Sequence, residues 1–195
     1  MNNDNAIERI EKNGFELAIF YDQSSESPRN WDNLGKIYTN NNNRYMNAEC
    51  TKYEVNNAVV KLPIYCYDHS GIKLNTTGFN CPFDSSLFGY IIATKENIKK
   101  WMGNNVCIDN ELKKKIAECL RQEIKALSQY FEGDVYGYTI TRISNGEVLD
   151  SCYGFYGMDH VLSEGEAALE SLIQCEDSKN FPLFQYANLP IPEYC

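Results

Sequence analysis

Residues 62–71, LPIYCYDHSG, and 81–86, CPFDSS, gather the residue types of a hydrolytic site into a short span. Asp68, His69 and Ser70 are the members of a serine triad set side by side, Cys81 is a thiol of the nucleophilic type, and Asp84 is a second carboxylate. A working triad draws its members from separate segments, with the imidazole between carboxylate and nucleophile. Neighbours on an extended chain point to opposite sides, so these three do not form a triad with one another. The plain structural alternative is a polar turn closed by Gly71, in which Asp68 and Ser70 bond backbone groups. His69 keeps its interest because only one other histidine, His160, is present. A cysteine–histidine nucleophile would have to bring Cys66, Cys81 or Cys152 to His69 through the fold, and no local signature marks any of them. Buried, inert cysteine is the alternative. Asp68, His69, Asp84 and Asp150 would bind a metal only if they converged, and no spacing demands that. We therefore assign no catalytic residue, no metal and no cofactor, and expect no enzyme.

Two further strings invite a binding role. The loop SSESPRNWDNLG (24–35) sets Arg29, Trp31 and Asp32 among turn formers. Trp31 and Leu34 are too apolar to leave in water, so this loop is expected to be ordered, with Trp31 beside the 67–71 turn. The strings VYGYT and CYGFYG alternate rings with glycines, and glycine in a strand marks close approach by another backbone or a ligand. Gly137 and Gly154 are expected to face each other, with Tyr136 and Tyr153 stacked beside them. A twisted hairpin packed with aromatics and a binding surface both fit that pattern. There is no glycine-rich phosphate loop, HExxH, GxSxG or basic recognition helix.

The elements that position these residues follow from periodicity. FELAIFY (15–21), Val59–Tyr67 and Gly89–Thr94 read as strands, Pro63 marking an edge or a bulge because proline cannot donate to a ladder. KENIKKWM reads as a short helix capped by Thr94 and ended by Gly103. Leu112, Ile116, Leu120, Ile124, Leu127 and Phe131 recur at steps of four and three, capped by Asp109 and stopped by Gly133. Asn145-Gly146 predicts a hairpin between the two aromatic–glycine strings. Ser163 with Glu166 is a capping box opening a last helix to Cys175, and residues 176–195 form an extended, proline-containing tail. The order has a hairpin and no βαβ rhythm. It predicts an α+β fold, an antiparallel sheet with a hairpin in the C-terminal half and helices packed on one face, in a single domain over 1–195.

Composition bounds the function. The formal charge is −9 and the pI about 4.8, which argues against a phosphate-tracking surface and permits a basic, nucleic-acid-binding partner, although on charge alone acidic residues that merely keep the protein in solution are the commoner case. Eight cysteines show no CxxC pair, and MNNDNAIERIEKNGFE has no basic segment followed by an apolar run, so reduced thiols and a cytoplasmic location are expected. No apolar stretch is long enough to span a membrane.

SPRNWDNLG (27–35), LPIYCYDHSG (62–71), NTTGFNCPFDSSLFGYI (75–91), GDVYGYTI (133–140) and DSCYGFYG (150–157) together resemble a family of small proteins encoded by bacteriophages and other mobile elements. Its members share an SPRxWDNLG loop, a YDHSG turn, a CPxDS segment and a D-S-C-x-G-F-Y-G strand, and the likeness covers most of residues 15–157 in the same order. After DNLG the family has an aromatic stretch with His and Arg, whereas this chain has KIYTNNNNRYMN, where only Arg44 and Tyr45 echo it. The resemblance implies a setting in which small acidic proteins neutralise a host defence. The leading expectation is a binding protein acting in the cytoplasm of a bacterial host, an anti-CRISPR competing at the basic nucleic-acid groove of an effector nuclease, with no direct nucleic-acid or membrane contact. Its contact residues would be Asp22, Glu26, Asp32, Asp68 and Asp84, with Trp31, Tyr136 and Tyr153 as anchors. Two alternatives stay open: a nucleotide or small-molecule binder, with Arg29, Trp31, His69 and the aromatic hairpin lining a pocket, and a small hydrolase using His69.

Overall fold

The computed structural model describes residues 5–39, 43–69, 71–81 and 83–180; Ser70, Asn40 to Asn42 and the tail from Phe181 to Cys195 lie outside the described residues. The chain is α+β, with two four-stranded antiparallel sheets. Its contacts group into two compact units, one built from both chain ends (1–21 and 136–195) and one from 22–135. The sequence, which has no linker, reads as one domain, because the first unit is discontinuous and the second is set into a loop between two paired strands.

In the unit formed by the ends, β1 (Glu8–Lys12) and β2 (Phe15–Tyr21) make a hairpin about Asn13-Gly14. Both turn residues have positive φ, 50° and 84°, as a tight two-residue turn requires. β2 then pairs with β7 (Val135–Arg142), and β8 (Glu147–Tyr156) completes the order β1-β2-β7-β8. Ile143–Gly146 is a four-residue turn in which Gly146 alone takes positive φ. The helix α4 (Met158–Asn180) closes the unit, setting Val161, Leu169 and Ile173 against Phe15, Leu17, Ile19, Tyr138 and Ile140. It begins five residues before the expected Ser163 cap and continues past Cys175, so residues 176–180 are helical rather than extended. Burial of Val161 outweighs the local capping preference of Ser163.

In the unit 22–135 the strand order is β3-β6-β4-β5, from β3 (Lys36–Thr39), β4 (Val60–Asp68), β5 (Ile72–Asn75) and β6 (Ser85–Ala93). β5 pairs only with Tyr65–Asp68, so at Pro63 β4 has one neighbour, β6, and its register slips by a bulge between Ile64 and Tyr65. The long helix α3 (Asn110–Glu132) buries Ile116, Leu120, Ile124 and Leu127 against Ile37, Ile64, Leu74 and Ile91. Each such side chain contributes about 1.5–3 kcal/mol by leaving water. Asp109 accepts the Leu112 amide at its start and Gly133 ends it in the left-handed region. A short helix α1 (Lys52–Asn56) brings Val55 to Ile92 in a small separate cluster, and α2 (Lys95–Met102), capped by Thr94, adds Ile98 to the main core.

Candidate functional site

The 27–35 loop is held by charge. Arg29 donates through Nε and Nη2 to the two oxygens of Glu49 at 2.8 and 2.7 Å, through Nη1 to Glu123 at 2.8 Å, and through Nη2 to the Gly35 carbonyl at 2.8 Å. The other oxygen of Glu123 accepts the Leu34 and Gly35 amides, both at 3.0 Å. Glu49 also accepts the Ile37 amide at 2.8 Å. The Arg29 and Glu123 side chains are only 10% and 11% exposed, so this is a buried clamp fixing the loop to α3. Burial alone would lower the Arg29 pKa, but hydrogen bonds and charge from Glu49 and then Glu123 outweigh it and the net shift is upward. Gly35 has no space for a Cβ, which would lie 2.6 Å from Leu120 and 2.8 Å from Ile91. The loop is therefore ordered, while Trp31 and Asp32 stand out from it. Trp31 is half-exposed and Asp32 meets Lys100 of α2 at 3.2 Å. Trp101, beside Lys100, is half-exposed as well, and no motif or spacing marks it in the sequence.

The 67–71 turn belongs to a second patch. Tyr45 donates its hydroxyl to Asp68 at 2.6 Å and Arg44 bonds the same oxygen. The Tyr45 hydrogen bond, opposed by partial desolvation and aided by Arg44, holds the Asp68 carboxyl below the usual aspartate range. Asp68 thus bonds side chains rather than its own turn, which is closed instead by the His69 amide on the Gly71 carbonyl at 3.2 Å. The Asp84 carboxylate lies 4.0 Å from Nδ1 of His69 and accepts the Cys81 thiol at 3.4 Å. The carboxylate stands between imidazole and sulfur, whereas nucleophilic catalysis needs the imidazole in the middle. His69 is largely exposed, and its ring tilts toward Tyr67. The Trp31 loop and this turn are tied to α3 at different points. The loop is anchored at Glu123 and Lys73 of β5 at Glu132, which are nine residues and roughly 13 Å apart along α3 at 1.5 Å per residue.

The aromatic hairpin is a packed ladder. Tyr21 stacks on Tyr136 at 5.3 Å, Tyr138 on Phe155 at 5.7 Å, and Phe155 meets His160 edge-on at 5.3 Å. The space over Gly137 is filled by the ring of Tyr153, where a Cβ would lie 2.0 Å from a ring carbon, so it is this ring, and not Gly154, that faces Gly137. Tyr138 donates to Asp150 at 3.0 Å; burial first, and then this bond, push its pKa up to about 12. Asp150 is thereby committed within the hairpin, and among the described residues no group of three His, Cys, Asp or Glu is placed to hold a metal. The seven described cysteines are free thiols.

Charge divides sharply between the units. Residues 1–21 and 136–195 hold thirteen acidic and four basic side chains, and residues 22–135 hold fourteen of each. The whole net charge of −9 therefore belongs to the unit made by the chain ends. Asp22, Glu26, Asp32, Asp68 and Asp84, the acidic residues that sequence alone suggested, all lie in the neutral unit. The uncompensated acids are elsewhere. Asp159, Glu166, Glu170 and Asp177 recur at steps of seven, four and seven along one side of α4, flanking its buried stripe, and all four are exposed. Glu170 is bridged to Lys12, whereas Asp159, Glu166 and Asp177 enter no ion pair among the described residues. Helical spacing makes this stripe legible in the sequence, but its contrast with a neutral unit appears only once the fold has assigned the two chain ends to one body.

No family model, curated protein or solved structure matches this chain. The likeness to mobile-element proteins rests on the quoted strings.

Proposed function

We propose that this protein is a binding protein whose acidic unit engages a basic surface of a macromolecular partner and competes there with nucleic acid. The observation that carries the reading is the placement of all nine excess negative charges on the unit of residues 1–21 and 136–195. The α4 carboxylates run about 27 Å from Asp159 to Asp177 at 1.5 Å per residue. A rod of regularly spaced carboxylates offers a basic groove the same cue as a phosphate backbone, and such charge steers association more than it adds affinity. Within the mobile-element setting, the partner is a host defence protein in the bacterial cytoplasm, and the nucleic-acid channel of a CRISPR effector nuclease is the groove to try first. The exposed tryptophans of the neutral unit would serve as apolar anchors.

The test is binding to a panel of guide-loaded effector nucleases by interferometry across a salt series, with target-DNA cleavage followed in parallel. The expected result is loss of target-DNA binding for a bound effector, with on-rates that fall as salt rises over the Debye range of about 8–10 Å. Replacing Glu166 and Asp177 by lysine should slow association about tenfold or more while leaving the melting temperature unchanged. Asp32→Lys and Asp84→Lys should have much smaller effects. Salt-independent binding that survives the α4 reversals overturns the proposal.

The pocket alternative around Arg29 draws no support from that residue, four of whose donor contacts are made within the clamp. The hydrolase alternative draws none from a His69–Asp84–Cys81 order with the carboxylate in the middle.

A further inference from the structure

A cleft of about 370 Å³ opens in the neutral unit between α3 and the turn that follows β5. That volume lies within the range of small-molecule sites. Its floor includes the buried side chains Leu74 and Ile124. Thr76 and Thr77 form one wall, and their hydroxyls make no bond among the described residues. Arg121 and Lys125 stand one turn apart on the same face of α3. Lys125 enters no ion pair among the described residues, and Arg121 has only an exposed contact with Glu118 at 3.0 Å. At the other end are Glu132 and Asp134. Glu132 is matched by Lys73 at 2.7 Å and Ser128 at 2.8 Å, and Asp134 accepts a Gln129 amide at 3.1 Å.

The cleft is thus polarised along α3, with Arg121 and Lys125 at one end and carboxylates with remaining acceptor capacity at the other. No aromatic ring lines it, so it offers nothing on which a nucleobase would stack. We infer that this cleft binds a small polyhydroxylated anion, a sugar phosphate or a sugar acid, with its anionic group at Arg121 and Lys125 and its hydroxyls donating toward Glu132 and Asp134. Charge-assisted bonds to the anion supply most of the affinity, and the carboxylate end orients the polyol.

The experiment is an amide NMR titration of the full chain with ribose 5-phosphate, gluconate, adenosine and AMP. Saturable shifts at Thr76, Thr77 and Lys125 with ribose 5-phosphate or gluconate are expected, and which of the two binds tighter separates phosphate from carboxylate as the anchoring group. Adenosine should leave these amides unmoved, and AMP should bind no tighter than ribose 5-phosphate. Lys125→Glu should weaken binding about tenfold or more, as loss of one charge-assisted contact requires. Thr77→Val is a second probe that leaves charge untouched, and it should weaken binding severalfold. The Glu166→Lys and Asp177→Lys variants should bind as wild type, which separates this site from the acidic unit. Absence of saturable shifts with both polyol anions, shifts of the same amides by adenosine, or wild-type affinity in Lys125→Glu each overturns the proposal.

Discussion

Arg29 shows how a residue type that suggests ligand binding can serve the fold instead. Its fork reaches two carboxylates and a carbonyl with bonds of 2.7–2.8 Å, a geometry a lysine cannot reproduce because its ammonium is a single point of charge. Removing the cation leaves Glu123 and Glu49 facing each other in a largely buried site. Arg29→Met should therefore cost about 3 kcal/mol, and Arg29→Lys about 2 kcal/mol, read as a lower urea midpoint at unchanged slope. A lysine variant within about 0.5 kcal/mol of wild type would show that the clamp is not what orders the loop. Tyr138 makes a separate residue-scale prediction. Its pKa is raised to about 12 by burial and by the bond to Asp150, so the folded state holds this proton more tightly than the unfolded state. The associated stabilisation is complete below the ordinary tyrosine pKa of about 10 and is lost as pH rises from there toward 12. The ultraviolet titration of wild type minus that of Tyr138→Phe should show one tyrosinate appearing near pH 12. A difference midpoint near 10 would mean that the Asp150 bond and the burial are absent in solution.

At the scale of elements, long periodic segments were legible and short ones were not. FELAIFY is β2 over the same residues, and the apolar stripe of α3 with its Asp109 cap and Gly133 stop appears where four- and three-residue steps predict it. β1 was missed although Asn13-Gly14 is as good a hairpin signal as Asn145-Gly146. The strand ERIEK is mostly charged and lies at a sheet edge, where one-sided burial gives no clear alternation. β3, α1 and β5 have only four or five residues each, too few to show a period, and they exist because the neighbouring strands and α3 supply their partners. The start of α4 was misplaced for the opposite reason: a good local cap at Ser163 lies inside a longer apolar stripe that begins with Val161. The candidate sites follow the same division. The residue types at 27–35 mark an ordered loop correctly, but the clamp partners Glu49 and Glu123 are 20 and 94 residues from Arg29, and no local pattern announces them.

At the scale of the whole molecule, the connectivity suggests a direct separation of the two binding proposals. Tyr21 and Tyr136 are register partners on adjacent antiparallel strands of one unit, and the other unit leaves and returns there, its ends joined by the Asp22 amide on the Val135 carbonyl at 2.8 Å. A body inserted between paired residues can be exchanged for a short turn without altering the strands it interrupts. Replacing residues 22–135 by Asn-Gly should let β2 and β7 meet as a two-residue hairpin, because that dipeptide takes the positive φ such a turn requires. The shortened chain keeps the α4 helix, the cluster of Phe15, Leu17, Ile19, Ile140 and Val161, and the whole charge excess. It should melt cooperatively and retain salt-dependent partner binding, while losing the response to ribose 5-phosphate. Residues 22–135 alone, formally neutral and with the α3 core intact, should show the reverse. Circular dichroism melts establish first that each piece folds, and the interferometry and NMR titrations are then repeated on both. If the folded, shortened chain no longer binds the partner, the acidic unit is insufficient and the contact residues lie among Trp31, Asp32, Asp68 and Asp84 after all. If both pieces fold and the polyol anions still shift the shortened chain, the cleft beside α3 is not their site.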